Sequence, residues 1–263
     1  MAAFAEGKPC WAVAMLPDVA AGRRFYGELF GWTFGEPEDE RHSYTEAFLD
    51  ERRVAGLVGK PDGRMPTSWG LHLATEDIVA TAAKVRDAGG QIIAPPFPVG
   101  DTGITAVVTD PGGAVFQLWQ GRELAGFERT GTPGGYGWSE LYTRDPQEAD
   151  AFYTTVFGYG TRDLTDAVGD DFVVWTPAGD PVDDDHAVLG RGRVADRYPE
   201  PMPPHFLLYF EVADCDAAVD TATALGARVL RDPEGSPYGR NAVLVDDQGA
   251  AFAVIAPATA GKD

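Results

Sequence analysis

The chain has 263 residues, enough for two domains of ordinary size, and its 44% apolar and 24% charged residues suit a globular protein. Its net charge of −20 excludes nucleic acid and membrane as expected partners, because phosphate groups are bound by basic surfaces. The two cysteines, Cys10 and Cys215, match no disulfide, zinc or redox pattern, and no segment approaches a secretory signal or a membrane span, so we expect a cytoplasmic protein.

The predicted elements repeat an order of strand, helix and further strands. The first half begins with a strand over 9–16, a helix over 18–30 that starts at Asp18 and stops at Gly31, and strands over 43–58 around a turn at Asp50 and Glu51. The order then restarts with a strand over 69–75, a helix over 77–88 and strands near 91–94, 103–109 and 114–119. The second half is predicted to contain a strand over 137–143, a helix over 145–157, a strand over 205–212, a helix over 214–225 and closing strands over 241–255.

Two segments recur along the chain. Phe-Tyr-Gly-Glu-Leu-Phe-Gly-Trp at 25–32 returns as Phe-Tyr-Thr-Thr-Val-Phe-Gly-Tyr at 152–159, and the segment Asp-Pro-Gly-Gly-Ala-Val-Phe at 110–116 returns at 246–252 as Asp-Asp-Gln-Gly-Ala-Ala-Phe. Self-similarity at this scale indicates duplication of one domain. We therefore predict one domain over 1–129, a Gly- and Pro-containing linker over 130–137 and a second domain over 138–263.

These motifs resemble those of the glyoxalase, bleomycin-resistance and extradiol-dioxygenase group, the vicinal oxygen chelate superfamily. The resemblance extends from Pro9 to Pro257 and is strongest to tandem members labelled glyoxalase-like or hydroxylase, some of which assist natural-product oxidation. It implies an α+β fold in which four βαβββ modules form two glyoxalase-like domains with cupped mixed sheets. Such membership determines the fold better than the reaction.

In metal-using members of the group, the resemblance implies two histidines and a carboxylate on three strands of a cup. The matching positions here hold Trp11, Gly70 and Gln117 in the first copy, and Trp138, Leu207 and Ala253 in the second. None of these is His, Asp or Glu, so we expect no metal and no other cofactor. A shift of two residues keeps a side chain on the same face and would bring in His72 or Tyr209 with Glu140, which leaves a metal-dependent dioxygenase or lyase as an alternative.

Strand alternation places polar side chains on the cup face of the second copy. Ser139, Leu141 and Thr143 are predicted to face the helix, which leaves Trp138, Glu140 and Tyr142 opposite. In the strand over 205–212, the same alternation brings His205, Tyr209 and Glu211 to the cup face. We predict Glu140, Glu211, His205 and Tyr209 as catalytic candidates and Trp138 and Tyr142 as ligand-binding residues; the alternative is a wet cleft whose polar groups only satisfy one another.

The cup of the first copy is less polar. Trp11 lies on its first strand, His72 on its middle strand, and Gln117 and Trp119 on its last. We predict these four as ligand-binding residues, although an apolar stripe of this kind is more often core. A buried Gln117 or His72 would need a polar partner there.

The leading hypothesis is metal-independent binding of a small aromatic or lipophilic metabolite or drug in a cupped cavity. The alternative is a metal-free isomerase, lyase or auxiliary hydroxylase of secondary metabolism that uses Glu, His and Tyr side chains. The expected partner is a small-molecule ligand. Because one chain already supplies two domains, we expect a monomer or a loose homodimer.

Overall fold

A computed structural model describes residues 4–36, 44–194 and 202–258, which form two eight-stranded sheets. The first half of the chain comprises β1 (Pro9–Leu16), α1 (Val19–Phe30), β2 (Thr33–Phe34), β3 (Thr45–Leu49), β4 (Arg52–Gly59), β5 (Ser68–Ala74), α2 (Ile78–Asp87), β6 (Gln91–Val99), β7 (Gly103–Thr109) and β8 (Val115–Gly121). The second half comprises β9 (Tyr136–Thr143), α3 (Pro146–Phe157), β10 (Gly160–Asp163), α4 (Thr165–Val168), β11 (Phe172–Thr176), β12 (Leu189–Arg193), β13 (His205–Glu211), α5 (Cys215–Ala224), β14 (Arg228–Ser236), β15 (Gly239–Val245) and β16 (Ala251–Pro257).

Both sheets are mixed and share one strand order. That order is β2-β3-β4-β1-β5-β8-β7-β6 in the first sheet and β10-β11-β12-β9-β13-β16-β15-β14 in the second. The pairs β1/β4 and β12/β9 are parallel, whereas the outer hairpins are antiparallel. The predicted α+β fold of two duplicated halves is therefore confirmed. None of the helices within the described ranges is long and apolar enough to cross a membrane.

The long helices start and stop where the sequence predicts. Asp18 caps α1 by accepting a hydrogen bond from the Ala21 N–H, and Asp145 does the same for α3 with the Glu148 N–H. Gly31 and Gly158 end these helices with φ of 73°, a left-handed conformation that glycine adopts at little cost.

The sequence analysis leaves β10, β11, β12 and β14 of the second sheet unassigned. Residues 172–176 and 189–193 form β11 and β12, which pair antiparallel to each other, and β12 also pairs parallel with β9. The Gly-Arg-Gly-Arg segment at 190–193 has no apolar alternation, so its propensity for a strand is weak. This segment forms a strand because it pairs with β9, fifty residues earlier in the chain, and not because of local preference.

The chain divides into two compact units. The first consists of Met1–Cys10, Leu71–Gly126 and Ser139–Phe206, and the second of Trp11–Gly70, Phe127–Trp138 and Leu207–Asp263. Each unit thus contains segments of both sequence repeats. The domain boundaries over 1–129 and 138–263 stay a prediction.

A buried tyrosine hydroxyl is bonded to an aspartate in each unit. In the second unit, Tyr26 on α1 donates to Asp246 Oδ2 at 2.7 Å and accepts from Trp69 Nε1 at 2.9 Å. In the first unit, Tyr153 on α3 donates to Asp110 Oδ2 over a longer 3.4 Å. Within each unit, a helix from one sequence repeat is therefore fixed to the last turn of the other repeat.

We expect Y26F to lower the free energy of unfolding by about 2 kcal/mol and Y153F by about 1 kcal/mol or less, since a short bond to a buried carboxylate contributes more than a long one. Urea unfolding monitored by circular dichroism measures both values. Equal losses for Y26F and Y153F would contradict the difference in hydrogen-bond strength.

Candidate functional site

Burial along β9 alternates and so separates two faces of the strand. Ser139, Leu141 and Thr143 are buried, whereas Glu140 and Tyr142 are half-buried. The buried set belongs to the core, because successive side chains of a strand point to opposite faces. Glu140 and Tyr142 therefore share the face on which a ligand can approach.

Three predicted residues of the first unit meet in what we term the Tyr142 cluster: Glu140, Tyr142 and His205. The Tyr142 hydroxyl donates to Glu140 Oε2 at 2.7 Å. Its ring is stacked on the His205 imidazole, with centroids 5.8 Å apart and planes inclined by 19°. His205 Nδ1 lies 3.0 Å from the Pro203 carbonyl oxygen, which can only accept, so the neutral imidazole carries its proton on Nδ1 and has its lone pair on Nε2.

Two glycines of β12 lie next to the Tyr142 cluster. Gly190 is paired with Glu140 and Gly192 with Tyr142. A Cβ atom at Gly192 would lie 3.0 Å from Tyr142 Cε1 and 3.3 Å from its Cδ1. Glycine at this position therefore allows the tyrosine ring to lie against the strand.

The sequence analysis missed these glycines as site residues, although their spacing carries a signal. Glycines two positions apart leave one face of a strand without side chains. The intervening Arg191 points the other way, is 3% exposed, and forms ion pairs with Asp150 at 2.9 Å and Asp171 at 2.5 Å. The alternation of glycine with a buried arginine therefore indicates a strand face without side chains.

Three other predicted residues, Trp138, Tyr209 and Glu211, belong to the second unit. Tyr209 is buried and paired with Ala253 of β16. Glu211 ends β13, where its N–H donates to the Gly135 carbonyl and its carbonyl accepts from the Gly134 N–H. Burial raises the pKa of its carboxyl above the ordinary value of 4.5.

Gly137 makes room for the Glu211 side chain. A Cβ atom at Gly137 would lie 2.8 Å from Glu211 Cγ, closer than two non-bonded carbon atoms normally approach. The segment predicted as a linker therefore contacts a predicted catalytic residue through both backbone and side chain. Tyr136 and Gly137 of that segment already belong to β9.

The four predicted residues of the first copy divide between the units. His72 and Gln117 are paired in register on β5 and β8, and the rings of His72 and Trp119 meet edge to face at 6.0 Å. Trp11 lies instead in the second unit, where it is 2% exposed and donates from Nε1 to the Tyr44 hydroxyl at 3.3 Å. Its indole also packs 5.5 Å from the ring of Phe127, so its environment is that of an aromatic core.

The side chains present do not fit the three-ligand metal site that the resemblance implies. His72 has Gln117 as its neighbour on β8, and Tyr209 has Ala253 as its neighbour on β16, so neither pair supplies the carboxylate. Within residues 4–36, 44–194 and 202–258, no group of three His, Cys, Asp or Glu side chains could hold a metal ion.

Comparison with known proteins gives consistent matches to one family. The sequence model described as glyoxalase/bleomycin resistance protein/dioxygenase superfamily matches residues 11–118, and that described as glyoxalase-like domain matches 140–255. The chain is 36% identical to the anthracycline biosynthesis protein DauV of Streptomyces sp. (strain C5), over 97% of this chain and 95% of that protein. It is also 36% identical to the anthracycline biosynthesis protein DnrV of Streptomyces peucetius, over 99% of each chain.

A solved structure supports the same fold. The 2,3-dioxygenase LapB from Pseudomonas sp. KL28 superposes with a TM-score of 0.66 over 98% of this chain and 94% of that chain, at 14% identity. Identity this low shows a shared fold only. With full-length relatives above 30% identity and both halves matched, the chain belongs to the glyoxalase/bleomycin resistance protein/dioxygenase superfamily.

Proposed function

We propose that the protein binds a planar, hydroxylated aromatic metabolite of secondary metabolism at the Tyr142 cluster, without a transition metal. The observation that carries this proposal is the Tyr142 ring itself. It lies against Gly192, is stacked on His205, and has its hydroxyl bonded to Glu140 on the half-buried face of β9. A tyrosine held in this way presents a fixed aromatic surface.

The cluster combines the two kinds of contact that a small-molecule site needs. Aromatic rings bind a flat ligand through offset stacking, and a few polar groups determine its orientation. A carboxylate has about four lone-pair positions, so Glu140 can accept a hydrogen bond from a ligand hydroxyl in addition to that from Tyr142. The combination favours a ligand with a ring and a phenolic hydroxyl.

The names of two relatives support this class of ligand. DauV and DnrV are called anthracycline biosynthesis proteins, and the chain matches both over nearly its whole length. Anthracyclines contain a planar fused-ring system with phenolic hydroxyls, which suits a stacking surface beside a carboxylate. We expect one such ligand at this site in a monomer or a loose homodimer.

A titration with quinizarin, a planar dihydroxyanthraquinone, tests the proposal. We expect Y142A to weaken binding about tenfold through loss of stacking, and E140Q to weaken it through loss of a charged acceptor. Isothermal titration calorimetry measures both dissociation constants. The matched control is Y238A, which removes an exposed tyrosine from the β14–β15 hairpin and should leave the affinity unchanged. Equal affinities of Y142A and Y238A would disprove the site.

Metal independence is tested by elemental analysis of protein purified without chelators. We expect less than about 0.1 equivalent of transition metal and unchanged quinizarin binding after dialysis against a chelator. A stoichiometric metal would instead restore the alternative of a metal-dependent dioxygenase or lyase.

A metal-free enzyme is the second candidate, and the 2.7 Å bond between Tyr142 and Glu140 favours it. A carboxylate next to a phenol can take a proton from a substrate carbon while a neighbouring O–H stabilises the developing oxyanion, as an isomerase or lyase requires. Glu211, whose pKa is raised by burial, is a second possible base. Unchanged turnover of a discovered substrate by E140Q and E211Q would exclude this candidate.

The raised pKa of Glu211 gives a prediction about stability. A carboxyl whose pKa is raised in the folded protein contributes most to the free energy of unfolding at acidic pH. This contribution is lost as the pH rises through the raised pKa. E211Q cannot ionise, so its stability relative to the wild type should increase from pH 4 to pH 7, as measured by urea unfolding at each pH.

The matched control is D62N. Arg64 lowers the pKa of the Asp62 carboxyl below its ordinary value of 3.8, so the stability of this variant relative to the wild type should stay nearly constant from pH 4 to pH 7 and should fall only as the pH rises through the lowered pKa, below pH 4. A stability difference between E211Q and the wild type that does not depend on pH would contradict a raised pKa at Glu211.

A further inference from the structure

We infer that Arg191, on the face of β12 opposite to the Tyr142 cluster, is the residue that positions this cluster for its ligand. The inference rests on the proposed function, because it concerns the same site. It depends on the ion pairs of Arg191, on the two glycines beside it, and on the residue that stands at the equivalent position in the first sheet.

The Arg191 side chain joins three elements of the first unit. Its guanidinium is bonded to Asp150 Oδ2 on α3 at 2.9 Å and to Asp171 Oδ1, just before β11, at 2.5 Å. It also donates to the Asp171 carbonyl oxygen at 3.2 Å. Asp150 accepts in addition from the indole N–H of Trp175 on β11, at 3.1 Å. The planar guanidinium therefore holds β12 against a helix and a neighbouring strand through directional bonds, which an apolar side chain cannot form.

Glycine flanks Arg191 on both sides, so β12 has little else to hold it in place. Gly190 is the register partner of Glu140, and Gly192 is that of Tyr142. Glycine has the freest backbone of all residues and no side chain that could pack. Because the Tyr142 ring lies against Gly192, a displacement of β12 moves the surface that supports the ring.

The first sheet shows what the fold itself requires at this position. Leu57 of β4 pairs with Ala14, as Arg191 of β12 pairs with Leu141. Ala14 and Leu141 stand at the same distance before the repeated Phe-Tyr segment of each half, so the two pairs are equivalent. Leu57 is fully buried, and Val58 follows it where β12 has its second glycine. A leucine thus satisfies the fold at this position.

A buried arginine is a costly way to fill a core position. Removal of the guanidinium from water destabilises the fold, and ion pairs offset this at most by a comparable amount. Asp150 and Asp171 are 25% and 40% exposed, so water can solvate both carboxylates without the arginine. Folding alone therefore gives little reason for Arg191, whereas a glycine-lined site that must keep one geometry does.

A fixed geometry matters here because the contacts of the cluster are short. Tyr142 keeps its hydroxyl on Glu140 and its ring 5.8 Å from that of His205. A site that already has the bound arrangement binds more tightly, since ordering it costs no binding free energy. Arg191 thus contributes to affinity without touching the ligand.

The substitution R191L, which copies Leu57 of the first sheet, tests the inference on the unliganded protein. We expect its melting temperature to stay within about 3 °C of that of the wild type, because leucine suffices for the fold. The carbon-bound proton signals of the His205 ring, assigned in NMR spectra by their absence in H205Q, are shifted by the stacked Tyr142 ring. We expect R191L to move these signals towards their positions in Y142A. D171N, which leaves the pair with Asp150 in place, should move them in the same direction by less.

Arg240 offers a matched control in the second unit. It lies on β15 and bonds to Asp216 of α5 through Nε at 2.6 Å and Nη2 at 2.8 Å. R240L therefore also breaks a contact between a strand and a helix. The His205 signals of R240L should match those of the wild type.

Isothermal titration calorimetry with quinizarin completes the test. We expect R191L to bind about tenfold more weakly than the wild type, and R240L to bind as tightly as the wild type. Wild-type His205 signals in R191L, an unchanged affinity, or a large fall in its melting temperature would each overturn the inference. If quinizarin does not bind the wild type while R191L moves the His205 signals, the proposed ligand is wrong and the positioning of the cluster by Arg191 stands.

Discussion

The bond between a helix tyrosine and an aspartate of the other sequence repeat is the interaction on which each compact unit depends. Tyr26 reaches Asp246 in the second unit and Tyr153 reaches Asp110 in the first. Each aspartate also accepts backbone N–H groups from its own turn, at Ala250 and Ala114 respectively. The helix and the turn are thereby fixed together, and the aromatic side chains around them complete a core on one face of the strands.

One face of the strands packs in that core. The other face can therefore carry polar side chains. Glu140 and Tyr142 occupy it on β9, and Gln117 occupies it on β8. Polar side chains on a half-buried face add little to stability unless they find partners. Glu140 and Tyr142 bond to each other there, and we propose that a ligand supplies further partners.

The sequence predicts the parts of the fold that local chemistry controls. Aspartate caps and terminal glycines determine where α1 and α3 begin and end, and the turn at Asp50 and Glu51 has φ of 47° and 62°, as a tight hairpin requires. The strand β12 was not predicted, because only its pairing with distant β9 makes Gly190–Arg193 a strand. Pairing between distant segments leaves no periodic trace in such a sequence.

The same distinction applies to the candidate sites. Alternation along β9 and along residues 205–212 indicates which side chains share a face, but it cannot show that Tyr142 stacks on His205 or that Trp11 hydrogen-bonds to Tyr44. Those contacts depend on which strands and loops become neighbours. Gln117 Oε1 has no hydrogen bond among the residues that the structure describes, and the sequence does not show this, since the Gln120 amide on the same strand is satisfied by the Ile78 N–H.

Duplication explains how two such different polar faces arise in one chain. The repeats keep the same helix caps, aromatic core positions and strand order, so the constraints of folding are met twice by similar residues. The exposed strand faces are free of those constraints and have diverged. One carries a carboxylate bonded to a phenol on β9, and the other carries Gln117 beside its register partner His72. The repeated scaffold therefore leaves each half free to carry its own polar groups on this face.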